Sequence, residues 1–233
     1  MKDKGLIYSN QLSMFGKPDV VGYSNGKLYV SEIERDLSNE LIKEHHYSHK
    51  VYNGTYIHLG VYIDEMLVGV LQYGYAMNPA SCDSAVEGTD INQYLELNRM
   101  WLDDVAARNS ESMAISCSIV YIKHRYPKIK WIQSFADERC NCFGIVYQAC
   151  SFSYYGEHNS IFWECGGEVF HNSIKTSRKA GKRGYDILNS KENKDKVQKY
   201  ELRQFRYIKF LDMSWKNKCR LKEIPYPKYY KEA

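Results

Sequence analysis

Hydrophobic and polar positions in this chain keep two periods, two residues and about 3.6 residues, and the changes between them mark out its elements. In "VVGYSNGKLYVSEIE" two alternating runs flank Asn25-Gly26, a pair suited to a two-residue hairpin, so the chain is expected to open on paired strands. "DLSNELIKEHHYSH" has good helix formers, a Ser or Asp cap, and Leu37, Leu41 and Ile42 on one side, which predicts a helix ending near His46. "YIHLGVYIDEMLVGVLQYGYAM" predicts two strands joined by a tight turn at Asp64-Glu65, and "NPASCDSAVEGTDINQ" predicts a long loop.

The second half repeats a strand, polar loop, helix sequence. "YLELNRMWLDD" is a strand with Leu95, Leu97 and Met100 alternating with polar residues. "ARNSESMAISCSIVYIKHRYP" is a helix that Asn109 or Ser110 can cap, with Glu111 favouring its first turn and Pro127 marking its end. "KIKWIQSFAD" is a strand, "CFGIVYQACS" a short helix, and "FSYYGE…SIFWECGGEVFH" a closing pair of strands. The order β-α-β-β-β-α-β-α-β implies an α/β fold with a mixed sheet and flanking helices. Ligands collect at the carboxyl ends of strands in open α/β sheets, and Asp137 ends one such strand.

Composition narrows the class. With 233 residues, 26% charged and 44% hydrophobic, the chain suits a globular protein of one domain with an appendage. Its 21 tyrosines are far above ordinary usage and supply amphipathic rings for polar pockets and stacking. The start, "MKDKGLIYSNQLSMF", lacks the apolar run of a secretory signal, and no segment reaches about eighteen uninterrupted apolar residues. A cytoplasmic location without a membrane partner is therefore expected. The seven cysteines should remain free thiols, and Cys140, Cys142 and Cys150 match no zinc template, so Cys150 is expected to face the core.

Charge divides the chain unevenly. Residues 175–233 carry 18 Lys and Arg against 7 Asp and Glu, which leaves the first 174 residues acidic. The densest cluster, "KTSRKAGKRG", holds Lys175, Arg178, Lys179, Lys182 and Arg183, and aromatic residues interleave the cations of "QFRYIKFLDMSW". Such interleaving suits phosphate neutralisation with stacking, and equally a solvated surface helix. The division expected is an acidic body at 1–174 and a basic helical C-terminal extension at 175–233, for which contact with DNA is one of these two readings.

Five blocks, "HHYSH" (45–49), "ELNRMWLDD" (96–104), "RNSES" (108–112), "SFAD" (134–137) and "GIVYQACSF" (144–152), together resemble the Mom family of phage adenine-modification proteins, whose fold is similar to that of the GCN5-related N-acetyltransferases. The resemblance spans about residues 40–175 and extends to "QFRYIKFL" and "IPYP". It implies a transferase that places a methylcarbamoyl group on adenine N6 of phage DNA, in the host cytoplasm, and so shields that DNA from restriction. It implies acetyl-CoA and iron as cofactors and double-stranded DNA as partner, and it leaves a homodimer open. Residue by residue it implies catalytic roles for His46, Tyr47, Arg99, Ser112, Asp137 and Tyr147.

The residues' own chemistry bears on these roles. Coenzyme pyrophosphate usually sits on a glycine-rich helix start, and "AARNSES" has no glycine; Arg108, Asn109, Ser110 and Ser112 are left as the cofactor-binding candidates, and simple capping is the alternative. His46, Tyr47 and Asp137 offer one nitrogen and two oxygens, a set that suits iron better than zinc. His45 and His49 share a helical spacing and read as a surface pair. Arg99 and Glu96, three apart on a strand, should point to opposite faces, with Arg99 beside Leu97 and Trp101 and in need of an anionic partner such as Asp137 or a phosphate. Tyr147 could position a base or ligate metal. Bond formation at an acetyl methyl carbon calls for more than proton transfer, which redox-active iron can supply. The target base would have to leave its stack, and Tyr73, Tyr75 and Trp101 could form the slot that receives it. The rival readings are a conventional N-acetyltransferase of a protein or small amine and a non-catalytic DNA-binding protein.

Overall fold

The computed structural model describes residues 5–9, 19–23, 28–140, 143–176 and 183–227. Among them are ten strands: β1 (Leu6–Ser9), β2 (Val20–Tyr23), β3 (Leu28–Glu32), β4 (Thr55–Ile63), β5 (Met66–Gly74), β6 (Tyr94–Leu102), β7 (Trp131–Asp137), β8 (Ser153–Cys165), β9 (Glu168–His171) and β10 (Gln198–Phe210). The α-helices are α1 (Arg35–His45), α2 (Cys82–Ala85), α3 (Ser110–Arg125), α4 (Ile145–Ala149), α5 (Asn172–Lys175) and α6 (Arg183–Asn189). All ten strands join one sheet in the order β1-β2-β3-β4-β5-β6-β7-β10-β8-β9. Every neighbouring pair is antiparallel except β6 and β7. The mixed α/β sheet expected from the sequence is therefore present, and no helix among the described residues is long and apolar enough to cross a membrane.

Local chemistry explains the elements the sequence located. Asp64 and Glu65 both adopt positive φ (47° and 68°), the left-handed pair that matches the twist of the strands they join. β2 and β3 pair as the opening hairpin requires, while Asn25-Gly26 lies outside the described residues. Helix α1 differs from expectation: Glu34 occupies its N-cap without a side-chain bond, Leu37 is exposed, and the residues turned to the sheet are Ser38 and Ile42. The reason lies beneath it, where the Ser38 hydroxyl meets His58 Nδ1 at 3.0 Å and accepts from Gln72 Nε2 at 2.8 Å. A polar patch on the sheet selects a small hydroxyl above it, and Leu37 turns to solvent.

Helix α3 packs on the opposite face. Ala114, Ile115, Ile119 and Ile122 meet Leu59, Leu71, Leu95 and Ile132 in the main core, where the hydroxyl of fully buried Tyr73 bonds Ser118 at 2.5 Å. Cys150 is buried there as a free thiol, as expected; Cys142 and the Cys140 side chain lie outside the described residues.

The C-terminal segment corrects the expected helical extension. Residues 198–210 form β10, which inserts between β7 and β8, and the apparent closing pair of strands is the single long β8 followed by short β9. The cations and aromatics of "QFRYIKF" alternate because the segment is a central strand. Phe205 and Tyr207 enter the α3 side of the sheet, and Arg206, Ile208 and Phe210 line the other. Its charged side chains also pair with the body at the surface, in both senses. Arg203 pairs with Glu138 at 2.7 Å and approaches Glu157 at 3.6 Å, Asp212 meets Lys130, and Arg220 lies near Asp83 and Glu87. Part of the basic excess after residue 175 thus complements the acidic body by contact.

Two outcomes follow for stability. Truncation after residue 197 removes a strand from within the sheet, and the shortened chain is expected to show no cooperative unfolding transition by circular dichroism. Gly144 has φ +81°, and a Cβ there would overlap the Tyr207 ring. Gly144→Ala should cost roughly 2–4 kcal/mol in urea unfolding, from the left-handed backbone and overpacking together.

Candidate active site

The sheet opens at one place. Strands β6 and β7 pair in parallel only from Tyr94/Trp131 to Glu96/Gln133. Past that point β6 continues along β5, and β7 continues along β10. The Ser134 hydroxyl still reaches the Leu97 carbonyl at 3.3 Å, and beyond it the two strands part into a fork. Asp137 stands at the end of one prong, and α3 begins after the other.

A β-bulge decides what faces the fork. Tyr73 pairs with Leu97 and Gln72 with Arg99, so Asn98 is an extra residue in β6. The bulge reverses the alternation that a regular strand would keep. Leu95 and Leu97 pack in the main core with Met100, while Glu96 and Arg99 come to the same face, the one carrying Gln133 and Asp137. The expectation that Glu96 and Arg99 oppose each other is therefore corrected, and Arg99 does not share a face with Leu97. Asn98 is held by Thr55 Oγ1 donating to its Oδ1 (3.1 Å) and by its Nδ2 donating to the Tyr75 carbonyl (3.1 Å), which locks the bulge.

On this face the structure brings together His46, Tyr47, Asp137 and Arg99. The chain leaves α1 at His45 and lays His46 and Tyr47 over the end of β7, their rings 4.3 Å apart. Tyr47 donates its hydroxyl to Asp137 Oδ2 at 3.4 Å. Asp137 also receives the backbone N–H of Arg139 on Oδ1 (3.0 Å) and that residue's Nε and Nη2 on Oδ2 (3.0 and 2.5 Å). The Arg139 guanidinium lies 4.2 Å from the Phe162 ring centroid and 5.4 Å from that of Tyr47. Asp137 thus has Arg139 as its cation, whereas Arg99 donates Nε to the Lys50 carbonyl (3.2 Å) and Nη1 to the Asn98 carbonyl (2.6 Å). Among the described residues no carboxylate pairs with Arg99.

His46 is neutral here. Burial, reinforced by the positive charges of Arg99, His49 and Arg139, pushes its pKa down to about 4. The Ser48 backbone N–H donates to its Nδ1 at 3.1 Å, so the ring proton of the neutral form sits on Nε2. That tautomer bears on the iron expected at His46, Tyr47 and Asp137. The imidazole lone pair is occupied by Ser48, and the cation position beside Asp137 is filled by Arg139. The three donors as arranged do not fit a metal ion.

The remaining candidates lie on the other side of the sheet. Asn109, at the N-cap of α3, adopts a left-handed conformation (φ 73°) and its side chain makes no capping bond, so the expected cap residue does not cap. Ser110 is buried at the helix start, Arg108 and Asn109 are exposed, and Ser112 donates its hydroxyl to the Asn109 carbonyl at 2.9 Å. Tyr147, in α4, is buried against Tyr207 and Phe152 with ring centroids 5.4 and 5.7 Å away. The two groups lie on opposite faces of the sheet, on either side of the place where β6 and β7 part.

The expected base slot is not formed by its three residues. Tyr73 is fully buried on the α3 side, Trp101 is covered by His45 stacked at 4.2 Å, and Tyr75 leans on Tyr56. His45 and His49 are both exposed, as expected, but do not share a helix face, since α1 ends at His45, which stacks on Trp101, and His49 lies past that end and bonds the Lys43 carbonyl. Of the basic cluster, Lys175 sits 3.3 Å over the Trp163 ring and Arg183 pairs bidentately with Glu168; Arg178, Lys179 and Lys182 lie outside the described residues.

Sequence reasoning missed Glu96 as a site residue. Its carboxyl accepts from Gln133 Nε2 on Oε2 (2.9 Å) and from Asn98 Nδ2 on Oε1 (3.3 Å), at the last pair before the strands part. Burial pushes its pKa up to about 7 against the pull of those two amides, Arg99 and Arg206. The letters were visible in "ELNR", but the bulge that turns Glu96 beside Arg99 was not.

Comparison with known proteins shows the family. The family model described as the Mom protein family matches residues 27–228. The methylcarbamoylase mom of Escherichia phage Mu is 43% identical over 213 residues, covering 90% of this chain and 87% of that protein. Among solved structures, a spermidine/spermine N-acetyltransferase of Vibrio cholerae aligns with TM-score 0.45 at 10% identity, covering 80% of this chain and 94% of that one. A probable acetyltransferase of Staphylococcus epidermidis aligns with TM-score 0.44 at 10% identity, covering 79% and 99%.

The pKa of His46 sets a pH dependence. Its folded value is below the ordinary histidine value of 6.5, so the unfolded chain binds the extra proton and stability falls as pH drops from about 6.5 to about 4. The loss attributable to His46 is on the order of 2–3 kcal/mol. Urea unfolding across this range should show it, and His46→Gln should flatten that part of the profile.

Proposed function

This chain belongs to the Mom protein family, and from that premise we propose that it is a DNA-modifying transferase that places a methylcarbamoyl group on adenine N6 of phage DNA, drawing on acetyl-CoA. The modification shields the DNA from host restriction, in the host cytoplasm. The observation that carries the reading is the early end of the β6–β7 pairing, with His46, Tyr47, Arg99 and Asp137 gathered on one face beyond it.

The coenzyme fits the α3 side. A sixteen-residue helix starts there without a side-chain cap; the Ser110 N–H bonds the Ala107 carbonyl, and the Glu111 and Ser112 N–H groups with the positive dipole end are offered to a pyrophosphate. Arg108, Asn109, Ser110 and Ser112 surround that start and would hold the phosphates. When bound, the thioester supplies the two-carbon unit. Tyr147, packed on Tyr207 and Phe152, presents a phenol from α4 whose orientation those rings fix.

The opposite lip handles the base. His46 is a neutral imidazole with its proton on Nε2, able to donate at that atom. Arg139 holds Asp137, and Asp137 accepts from Tyr47, so the phenol is fixed by a carboxylate that is itself fixed. Arg99 brings a half-buried guanidinium to the same face, suited to a phosphate of the target strand. An extruded adenine would enter here, and residues 175–233 would add phosphate contacts through Lys175, Arg178, Lys179, Lys182 and Arg183. No step is routed through iron, because His46, Tyr47 and Asp137 as arranged do not fit it. Joining N6 to the acetyl methyl carbon breaks a C–H and an N–H bond and passes two electrons to an oxidant other than these residues, and an ammonia-level nitrogen displaces the coenzyme thiol.

Nucleoside mass spectrometry of DNA co-expressed with the protein should show methylcarbamoyl-adenine; unmodified adenine with folded protein overturns the reading, and a plain acetyl product points to a conventional acetyltransferase. Asp137→Asn, which breaks the link between Arg139 and Tyr47, is expected to lower modification at least about a hundredfold with the unfolding midpoint little changed. Neutralising Lys175, Arg178, Lys179, Lys182 and Arg183 together should reduce the salt slope of duplex binding by up to about 4. An unchanged slope removes that cluster from the interface.

A further inference from the structure

Glu96 is a carboxyl without a cation. Among the described residues no Lys, Arg or His lies within ion-pair distance of it, although Arg99 on its own strand and Arg206 on β10 act on it from farther away. Tyr52, from the segment between α1 and β4, and Tyr94 are the other titratable groups close enough to interact with it. A buried carboxyl costs stability unless its hydrogen bonds are made, so a purely structural role favours an ion pair or an apolar substitute at this position. Here each oxygen accepts one amide N–H, from Asn98 and from Gln133, and a carboxylate has about four lone-pair positions. Among the described residues no other donor reaches it, and although its surroundings are buried enough to raise its pKa, part of the residue remains exposed.

The surroundings fix its orientation. Gln133 is its partner across the last parallel pair, and Asn98 is the bulge residue held by Thr55 and Tyr75. Both supporting amides belong to the backbone features that create the fork. The Tyr52 ring lies directly over Gly54, where an added Cβ would come within 2.5 Å of it, so an aromatic wall is fixed on the same side. The result is a partly exposed acceptor at the last pair before the strands part, with Tyr52, Arg99 and Arg206 close enough to interact with it.

We propose that Glu96 is the residue that binds the exocyclic amino group of the target base, with Gln133 and Asn98 as its positioning residues. This rests on the reading of the protein as an adenine-modifying transferase and deepens it. An extruded adenine presents an amino donor beside the ring acceptor N1, and enzymes that extrude a base read that edge by hydrogen bonds. The free lone pairs of Glu96 take the amino hydrogens, and the acid form can also donate to N1. A purine lacking the amino group leaves the Glu96 acceptors unpaired. Sites built around such a hydrogen bond reject the analogue that lacks it.

The test uses the full chain and two duplexes that differ at one unpaired nucleotide, adenine or unsubstituted purine, with binding read by fluorescence anisotropy. The wild-type chain should bind the adenine duplex at least about tenfold tighter. Glu96→Gln, which keeps an acceptor in place, should retain that preference, and Glu96→Ala should bind both duplexes at the purine level. The inference is overturned if the wild-type chain shows no preference, if Glu96→Ala keeps it, or if Glu96→Ala weakens both duplexes equally. If the Ala variant does not fold, the Gln variant decides: a folded Gln variant with the preference intact supports the inference, and one without it overturns it. Nucleoside mass spectrometry separates the two levels. Preference without any modified adenine sinks the transferase reading and leaves the Glu96 contact standing, whereas modification with an indifferent Glu96→Ala sinks the contact alone.

Discussion

The parallel pairing of β6 with β7, and its early end, is the constraint on which the rest depends. Only three residue pairs bind these strands, after which each follows a different antiparallel neighbour. β5 and β10 stay paired along the outer edges of the two prongs, while on β6 the Leu97 carbonyl takes the Ser134 hydroxyl and the Asn98 carbonyl takes Arg99 Nη1. The Asn98 bulge adds twist at the point of separation, and its amide is consumed by Thr55, Tyr75 and Glu96. The point of separation is thereby held by side-chain bonds from Asn98, Ser134 and Arg99 and by the outer strands, which fixes the positions of the residues that follow it.

The insertion of β10 couples the end of the chain to that separation. By pairing with β7 up to Asp137, it sets the direction of the second prong. It also carries Arg206 to the face of Glu96 and Arg203 to Glu138, one residue past Asp137. The unequal charge along the sequence acquires a structural meaning from this pairing. Cations late in the chain meet acids early in it, and partly exposed pairs such as Arg203–Glu138 contribute little individually while favouring this arrangement over alternatives. The same strand accounts for the aromatics among those cations, since Phe205 and Tyr207 are among the most buried residues of the core.

Much of the fold was legible because local rules govern it. The Asp64-Glu65 turn, α3 with its end before Pro127, and the strand ending at Asp137 all follow from periodicity and turn chemistry. The misreadings share one cause, which is dependence on a neighbour far away in sequence. Leu37 faces solvent because His58 and Gln72 place a polar patch beneath α1. Trp101 does not offer a free face because His45 covers it. His46, Tyr47 and Asp137 do gather as their motif implied, yet the cation beside them is Arg139, supplied by a turn whose letters carry no distinctive signal.

By itself, the sequence determined the mixed strand and helix pattern, the family, and the set of residues near the fork, because those reside in spacing and in short motifs. Tertiary structure alone decided which face each of them occupies. A single extra residue in β6 reverses the parity of every side chain after it, and that reversal depends on pairing with β5, which no local window contains. Glu96 and Arg99 became neighbours, and the basic tail became a central strand, through hydrogen bonds between segments distant in the chain.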